Sequence, residues 1–182
     1  MHDRLTNDAL MKLTIPSSVG PLFAFASDRG IRAIVFSEAD PARHGVNGKV
    51  IPAVEGGVAH ATLLALADQM REYFAGLRSE FDLPLDPRGT EFQLLAWQAL
   101  RQIPFGQTLS YAAQARAIGK PSAYRAIGAA DGRNPLAIVV PCHRVVGAGG
   151  ALTGFSGGLD RKRALLAHEG ALGSSQQLPF AD

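Results

Sequence analysis

The sequence predicts an α/β protein of the α+β kind in two parts: a small antiparallel sheet with a covering helix, then a mainly helical domain that carries a helix-turn-helix. Three observations predict it. Residues 12–37 alternate short β-prone runs with turn signals, residues 58–74 place apolar side chains at helical spacing, and residues 90–170 hold several helical segments joined by tight turns. Of the 182 residues, 47% are apolar and 19% charged, which suffices for one sizeable core or two small ones and excludes disorder throughout.

In the first part the expected strands are 12–15, 22–26 and 31–36, separated by Pro16-Ser17-Ser18, Gly20-Pro21 and Ser27-Asp28-Arg29-Gly30. Residues 38–57 are rich in Gly and Pro and read as a loop with one short edge strand. Leu63, Leu66, Ala67, Met70, Tyr73 and Phe74 then share a helix face, Gly76 offers the stop, and this helix is expected to cover one face of the sheet. Residues 81–85 read as one more strand. Pro84, Asp86-Pro87 and Gly89 mark a boundary, giving an N-terminal domain over 1–88, a second domain over 89–170 and a flexible tail over 171–182.

Thr90-Glu91-Phe92-Gln93 has capping-box spacing, and Phe92, Leu95, Ala96, Ala99 and Ile103 are expected on one buried face of the helix that follows. Pro104-Phe105-Gly106 ends that helix. A short helix over 110–118, the turn Gly119-Lys120-Pro121 and a third helix over 122–131 form the helix-turn-helix. Residues 136–140 read as a buried strand, 147–158 as a glycine-rich loop, and 160–168 as a last helix stopped by Gly170.

Composition also excludes function classes. A single Cys rules out an intramolecular disulfide and a multi-thiolate zinc site, and points to a reducing compartment. No apolar run follows Arg4, and 136–140 is far shorter than the roughly 20 residues a bilayer span takes, so a soluble, cytoplasmic protein with no membrane partner is expected. His2, His44 and His60 lack ligand spacing, so no metal and no cofactor is expected. The net charge is +2. Any nucleic-acid contact must therefore come from local clustering.

The sharpest feature is Pro141-Cys142-His143-Arg144-Val145-Val146. A lone cysteine is more often a small buried hydrophobe than a nucleophile. His143 and Arg144 alter that reading, because the thiolate is the reactive species and a nearby cation promotes it from an ordinary pKa of about 8.5. Lowering the pKa by about 2.5 units raises the thiolate fraction roughly 30-fold but costs about 13-fold in nucleophilicity, a net gain of about two- to three-fold. Most acceleration must come from holding an electrophile in line, where effective molarities reach about 10⁵ M.

Gly132-Arg133-Asn134-Pro135-Leu136-Ala137-Ile138-Val139-Val140-Pro141-Cys142-His143-Arg144-Val145-Val146 resembles the active-site signature of the O6-alkylguanine-DNA alkyltransferases, also called methylated-DNA-protein-cysteine methyltransferases. The resemblance runs from Thr90 to Gly170. It takes in Phe92-Gln93, Trp97-Gln98-Ala99-Leu100, Ile103-Pro104-Phe105-Gly106-Gln107-Thr108, Ser110-Tyr111, Arg125-Ala126-Ile127-Gly128 and Leu152-Thr153-Gly154-Phe155-Ser156-Gly157-Gly158. The first part is similar more loosely, through Ser18-Val19-Gly20-Pro21-Leu22 and Ala26-Ser27-Asp28.

The resemblance implies a ribonuclease H-like N-terminal domain and a winged-helix-like C-terminal one. It implies that Cys142 takes an alkyl group from O6-alkylguanine in double-stranded DNA, that His143 accepts the thiol proton through a water, and that Glu169 orients the imidazole. Tyr111 becomes the donor to the departing guanine, and Asn134 a hinge between recognition helix and active-site strand. Val145 and Ser156 contact the base through their backbones, and Phe155 keeps a stacking wall where the family often has Tyr. On the recognition helix, Ser122, Ala123, Ala126 and Ala129 allow close approach to the minor groove, and Arg125 enters the base stack in place of the flipped nucleotide. The thioether product has no activated leaving group, so one turnover is expected, by a protein monomeric in solution. O4-alkylthymine and cooperative binding along DNA stay open.

Two departures concern the expected DNA-facing surface: Gln114, where the family usually has an aliphatic residue, and Tyr124, which either packs inward or adds a ring beside the groove. Arg161-Lys162-Arg163 reads as a solvated face. Two rivals remain: a helix-turn-helix protein that flags damage without chemistry, whose relatives lack the cysteine, and a cysteine hydrolase with multiple turnover on esters.

Overall fold

The computed structural model describes residues 9–39 and 41–172. His2 and most of the tail expected over 171–182 lie outside them.

Three strands form as the alternation predicts: β1 (Leu10–Ile15), β2 (Leu22–Ser27) and β3 (Gly30–Val35), with β1 and β3 antiparallel to β2. The short edge strand, β4 (Val50–Pro52), joins β1 in parallel, giving the order β3-β2-β1-β4. Leu22, Ala24 and Ala26 face α1 (Gly57–Phe74), which covers that side with Leu63, Leu66, Met70 and Tyr73, all fully buried. Burying an aliphatic side chain of this size stabilises by about 1.5–3 kcal/mol. Phe25, Ala33 and Val35 fill the opposite face with Leu10 and Val46.

Residues 81–85 do not form the expected strand. Leu85 makes a single parallel bridge to Ile31, with Ile31 N–H donating to Pro84 O at 2.8 Å and Asp86 N–H to Ile31 O at 2.8 Å. Pro84 has no N–H to extend a ladder. Further along β3, Ile34 N–H donates to Pro135 O at 2.7 Å and Ala137 N–H to Ile34 O at 3.1 Å, so the residues before Cys142 are docked on the sheet's outer edge. The apolar core runs on from α1 and the sheet through Trp97, Leu100, Ile138, Val140 and Leu165 without a break.

The second part begins with α2 (Glu91–Leu100), whose capping box is complete: Gln93 N–H donates to Thr90 Oγ1 and Thr90 N–H to Gln93 Oε1. Its buried face is Ala96, Trp97 and Leu100, continued by Ile103, whereas Leu95 is exposed. The expected face was rotated because Trp97, whose Nε1 donates to Ala130 O at 2.9 Å, decides which side turns inward. A short strand, β5 (Leu109–Ser110), leads into α3 (Tyr111–Ala117), capped by Ser110. Ser122 and Ala123 lie in a 3-10 turn (Pro121–Ala123) ahead of α4 (Tyr124–Asp131) rather than inside the helix. Pro121 at the first position favours such a start. After the active-site turn come β6 (Val145–Val146), parallel to β5, and α5 (Leu159–His168).

Gln114 does not face a surface. It is fully buried between α2, α3 and α4, its Nε2 donating to Ala96 O at 3.3 Å and to Asp131 Oδ1 at 3.1 Å. Gln114 Oε1 and Asp131 Oδ2 are buried with no hydrogen-bond partner among the described residues. Burial pushes the Asp131 carboxyl up to about 7, with the Gln114 hydrogen bond and the Lys162 charge only partly offsetting it. A carboxyl raised in the folded state contributes stability that is present below its unfolded value of about 3.9 and is lost as pH rises through about 7. Relative to wild type, Asp131→Asn should therefore gain stability as pH rises from 4 to 8. The gain approaches about 4 kcal/mol for a carboxyl raised to about 7 on folding, which corresponds to roughly 8–16 °C in Tm for a chain of this size. Thermal melts of both proteins across that range check it, and parallel Tm–pH curves would contradict it.

Candidate functional site

The chain leaves α4 at Asp131 and reaches Cys142 through a segment whose backbone is organised by one side chain. Asn134 is buried; its Oδ1 accepts from Leu136 N–H at 3.0 Å, and its Nδ2 donates to Val140 O at 2.7 Å and to Cys142 Sγ at 3.2 Å. The strand expected over 136–140 is absent. Only Leu136 bridges to the sheet, at Ile34, and the following residues turn, with Ile138 in the left-handed region at φ 73. A run this apolar satisfies buried irregular backbone as well as a buried strand, because Asn134 and the local Val140 N–H to Leu136 O bond, 2.8 Å long, replace the ladder. A β-branched residue with positive φ costs about 1–3 kcal/mol, held here by those bonds.

Cys142, His143 and Arg144 form a single 3-10 turn and are all buried. His143 Nε2 lies 2.8 Å from Glu169 Oε1, at the C-cap of α5. Burial pushes the Glu169 carboxyl up, but hydrogen bonds from His143 and Arg144 outweigh it and hold it down at about 2. The carboxylate is therefore ionised and can only accept, so Nε2 carries the proton and Nδ1 the lone pair. His143 Nδ1 is buried with no hydrogen-bond partner among the described residues. Burial lowers the His143 pKa, opposed in part by Glu169, which favours the neutral imidazole.

Arg144 does not serve Cys142. Its Nε donates to Glu169 Oε2 at 2.8 Å, its Nη2 to Oε1 at 3.0 Å and its Nη1 to Ile103 O at 2.6 Å. Nor is the thiol acidic: burial pushes Cys142 up to about 12, and the hydrogen bond from Asn134 and the charge of Lys162 bring it only partly back. Activation by a preformed thiolate beside His143 and Arg144 is thus corrected.

Tyr111, at the start of α3, points its hydroxyl at the glycine-rich loop, donating to Thr153 O at 3.2 Å and Gly154 O at 3.3 Å. Burial raises its pKa. Val145 is fully buried and its carbonyl accepts from Lys162 Nζ. Phe155 packs edge-on against Phe36 of the first part, ring centres 5.7 Å apart, and Ser156 is exposed. On the outer side, Ser122, Arg125, Ala126 and Ala129 are exposed and Ala123 half-buried, while Ile127, Ala130 and Asp131 face inward. Tyr124 is 44% exposed, so it does not pack inward, and the Arg125 guanidinium lies 5.4 Å from its ring centre. The structure thus brings together Cys142, His143, Glu169 and Asn134, sets Tyr111 and Val145 beside them through Lys162, and displays the α4 residues on a separate outer face.

Sequence reasoning missed three buried polar residues here. Lys162, read as solvated, is fully buried: its Nζ donates to Val145 O and to Thr153 O at 2.7 Å and stands 6.0 Å from the Tyr111 ring centre. Its spacing from Leu165, Leu166 and Glu169 already placed it on the inner face of that helix. Asp131 faces the same cluster, its charge felt by Tyr111, Cys142 and Lys162. Tyr73, on α1, donates its hydroxyl to Glu169 Oε1 at 2.7 Å. Periodicity marked it only as a packing residue, and nothing local foretold the partner of its hydroxyl.

Residues 91–171 match the family model of the 6-O-methylguanine DNA methyltransferase DNA binding domain, and residues 10–87 that of the same enzyme's ribonuclease-like domain. A methylated-DNA–protein-cysteine methyltransferase of Mycolicibacterium paratuberculosis is 60% identical over 102 residues, 56% of this chain and 62% of that relative. One from Methanosarcina acetivorans is 42% identical over 156 residues, 85% of this chain and 95% of that relative. This chain therefore spans less than two thirds of the first relative's length and nearly all of the second's. Among solved structures, Mycobacterium tuberculosis OGT in complex with DNA superposes with a TM-score of 0.76 at 43% identity, covering 88% of this chain and 93% of that one. A buried Asn-Cys-His-Glu arrangement inside the second of two segments that match the two domains of one family, with a relative 42% identical over 85% of this chain, leads to one assignment: the chain belongs to the 6-O-methylguanine DNA methyltransferase family.

Proposed function

We propose that this chain repairs O6-alkylguanine in double-stranded DNA by moving the alkyl group, once, onto Cys142. The observation that carries the reading is a pair of buried contacts on one 3-10 turn, Asn134 Nδ2 to Cys142 Sγ and His143 Nε2 to Glu169, with His143 Nδ1 buried and without a hydrogen-bond partner among the described residues. Cys142 Sγ attacks the alkyl carbon, the S–C bond forms and the C–O6 bond breaks with its electron pair going to guanine. The thiol proton passes to His143 Nδ1 through a water. Tyr111 releases the carbonyls of Thr153 and Gly154 and gives its proton to the departing base, which leaves as neutral guanine, and the proton held by His143 returns to the Tyr111 oxygen by way of water. Asn134 Nδ2 supports the charge growing on sulfur, and the backbones of Val145 and Ser156 with the ring of Phe155 hold the base. Since the thioether cannot be displaced by another thiol, the protein is consumed.

DNA is met by the exposed side of α4 and the turn before it, over Ser122, Ala123, Arg125, Ala126 and Ala129. Few of these side chains can read base edges, which suits a search for lesions rather than for a sequence. The N-terminal domain is proposed to span 1–88 and the DNA-binding and transfer domain 89–170. No helix among the described residues is long and apolar enough to cross a membrane. The protein is proposed to act in the cytoplasm as a monomer.

Intact-mass measurement after mixing with duplex carrying O6-methylguanine should show one added methyl per protein in wild type and none in Cys142→Ala. Repeated release of product by one molecule, or multiple turnover of an ester, would favour the hydrolase instead; the same assay with O4-methylthymine defines the lesion range. Arg125→Ala should slow transfer from duplex by about tenfold or more, since extruding a base costs a few kcal/mol, while leaving transfer from a short single strand within about twofold. Equal slowing on both substrates in single-turnover kinetics would contradict this role for Arg125.

A further inference from the structure

Glu169 Oε1 accepts from three donors at once: His143 Nε2 at 2.8 Å, Arg144 Nη2 at 3.0 Å and the Tyr73 hydroxyl at 2.7 Å. Two of these come from the turn that carries Cys142. The third comes from α1, 96 residues away in sequence. We propose that Tyr73 is a positioning residue for the Glu169–His143 pair, so that alkyl transfer by the C-terminal part depends on a hydroxyl supplied by the N-terminal part. The inference rests on the function proposed above.

The Tyr73 ring has little freedom to follow the carboxylate. It is fully buried and packed by Phe74, Phe81, Phe105 and His168, with ring centres 5.0, 5.5, 6.0 and 4.8 Å away, and His168 Nε2 lies 2.8 Å from its backbone carbonyl. Its hydroxyl therefore defines where Oε1 sits, and Oε1 in turn fixes the plane of the imidazole. Burial raises the Tyr73 pKa and the Glu169 charge adds to it, so the hydroxyl stays protonated and always donates.

The hydroxyl has an electrostatic consequence as well. His143 is faced by Glu169 and Lys162 from the α5 side, by Arg144 from its own turn and, through Glu169, by Tyr73 from α1. A carboxylate that already accepts a hydrogen bond from a phenol attracts an imidazolium less strongly. Tyr73 thus helps hold His143 neutral and able to accept a proton. Without the hydroxyl, Glu169 keeps Arg144 and the Gly106 N–H, at 3.3 Å from Oε2, so the fold has partners enough to persist.

The test is Tyr73→Phe in the full chain, read as the single-turnover rate of methyl transfer from O6-methylguanine duplex between pH 5 and 9. Hydrogen bonds to charged groups contribute about 1.5–3 kcal/mol, so the rate at pH 7 should fall on the order of tenfold. The acid limb of the profile should move up by about one pH unit. Phe74→Leu, which loosens the same aromatic cluster and leaves the hydroxyl in place, should lower Tm with the acid limb where wild type has it. A Tyr73→Phe profile that overlays wild type, or equal shifts in both variants, would overturn the proposal while the wild-type mass still gains a methyl. Absence of that methyl in wild type would overturn the functional reading and this one together.

Discussion

The Glu169 carboxylate is buried against donors from three separate parts of the chain: Tyr73 on α1, Gly106 in the connection after α2, and His143 with Arg144 in the turn that carries the cysteine. An ionised carboxylate in such a place costs several kcal/mol unless hydrogen-bonding partners offset its desolvation. The arrangement in which they arrive together is the one in which α1 is docked, the Pro104–Gly106 bend is closed and the 3-10 turn is formed. Gly106 fits because its φ of 76 suits glycine and a side chain there would meet the Glu169 backbone carbonyl at 2.9 Å. Constraint on one charge therefore organises both halves of the chain around the sulfur.

Cys142 itself is buried, and burial raises the pKa of its thiol rather than lowering it. A buried thiol pushed up to about 12 favours its protonated form at pH 7. What the site does supply is order. Asn134 holds Sγ and the Val140 carbonyl with the same amide, and Lys162 ties Val145 to the glycine-rich loop beside Tyr111. Under the proposed function, holding the alkyl carbon in line with so ordered a sulfur outweighs the small gain that a lowered pKa offers.

Much of this was legible in the residues. Thr90 and Gln93 announced the start of α2, Ser110 and Gly119 bracketed α3, and alternation marked the three antiparallel strands, because each of these signals is local. Residues 136–140 misled because burial, not strand pairing, selects their apolar side chains, and a single long-range amide, Asn134, decides their backbone. Lys162 and Gln114 were misread by residue type. Charge and amide groups are usually solvated, and only the packed structure shows that Val145 O, Thr153 O, Ala96 O and Asp131 await them. The Tyr73 hydroxyl illustrates the general limit: periodicity gives the face of a helix, never the identity of what that face meets.

The central claim is that Glu169 fixes one tautomer of His143, with the proton on Nε2 and a free lone pair on Nδ1. ¹⁵N chemical shifts of histidine-labelled protein measure this directly. His143 at pH 7 should be a neutral ring protonated at Nε2, with the imidazolium appearing only below the ordinary histidine range. A His143 protonated at Nδ1, or an imidazolium that persists at neutral pH, would contradict it.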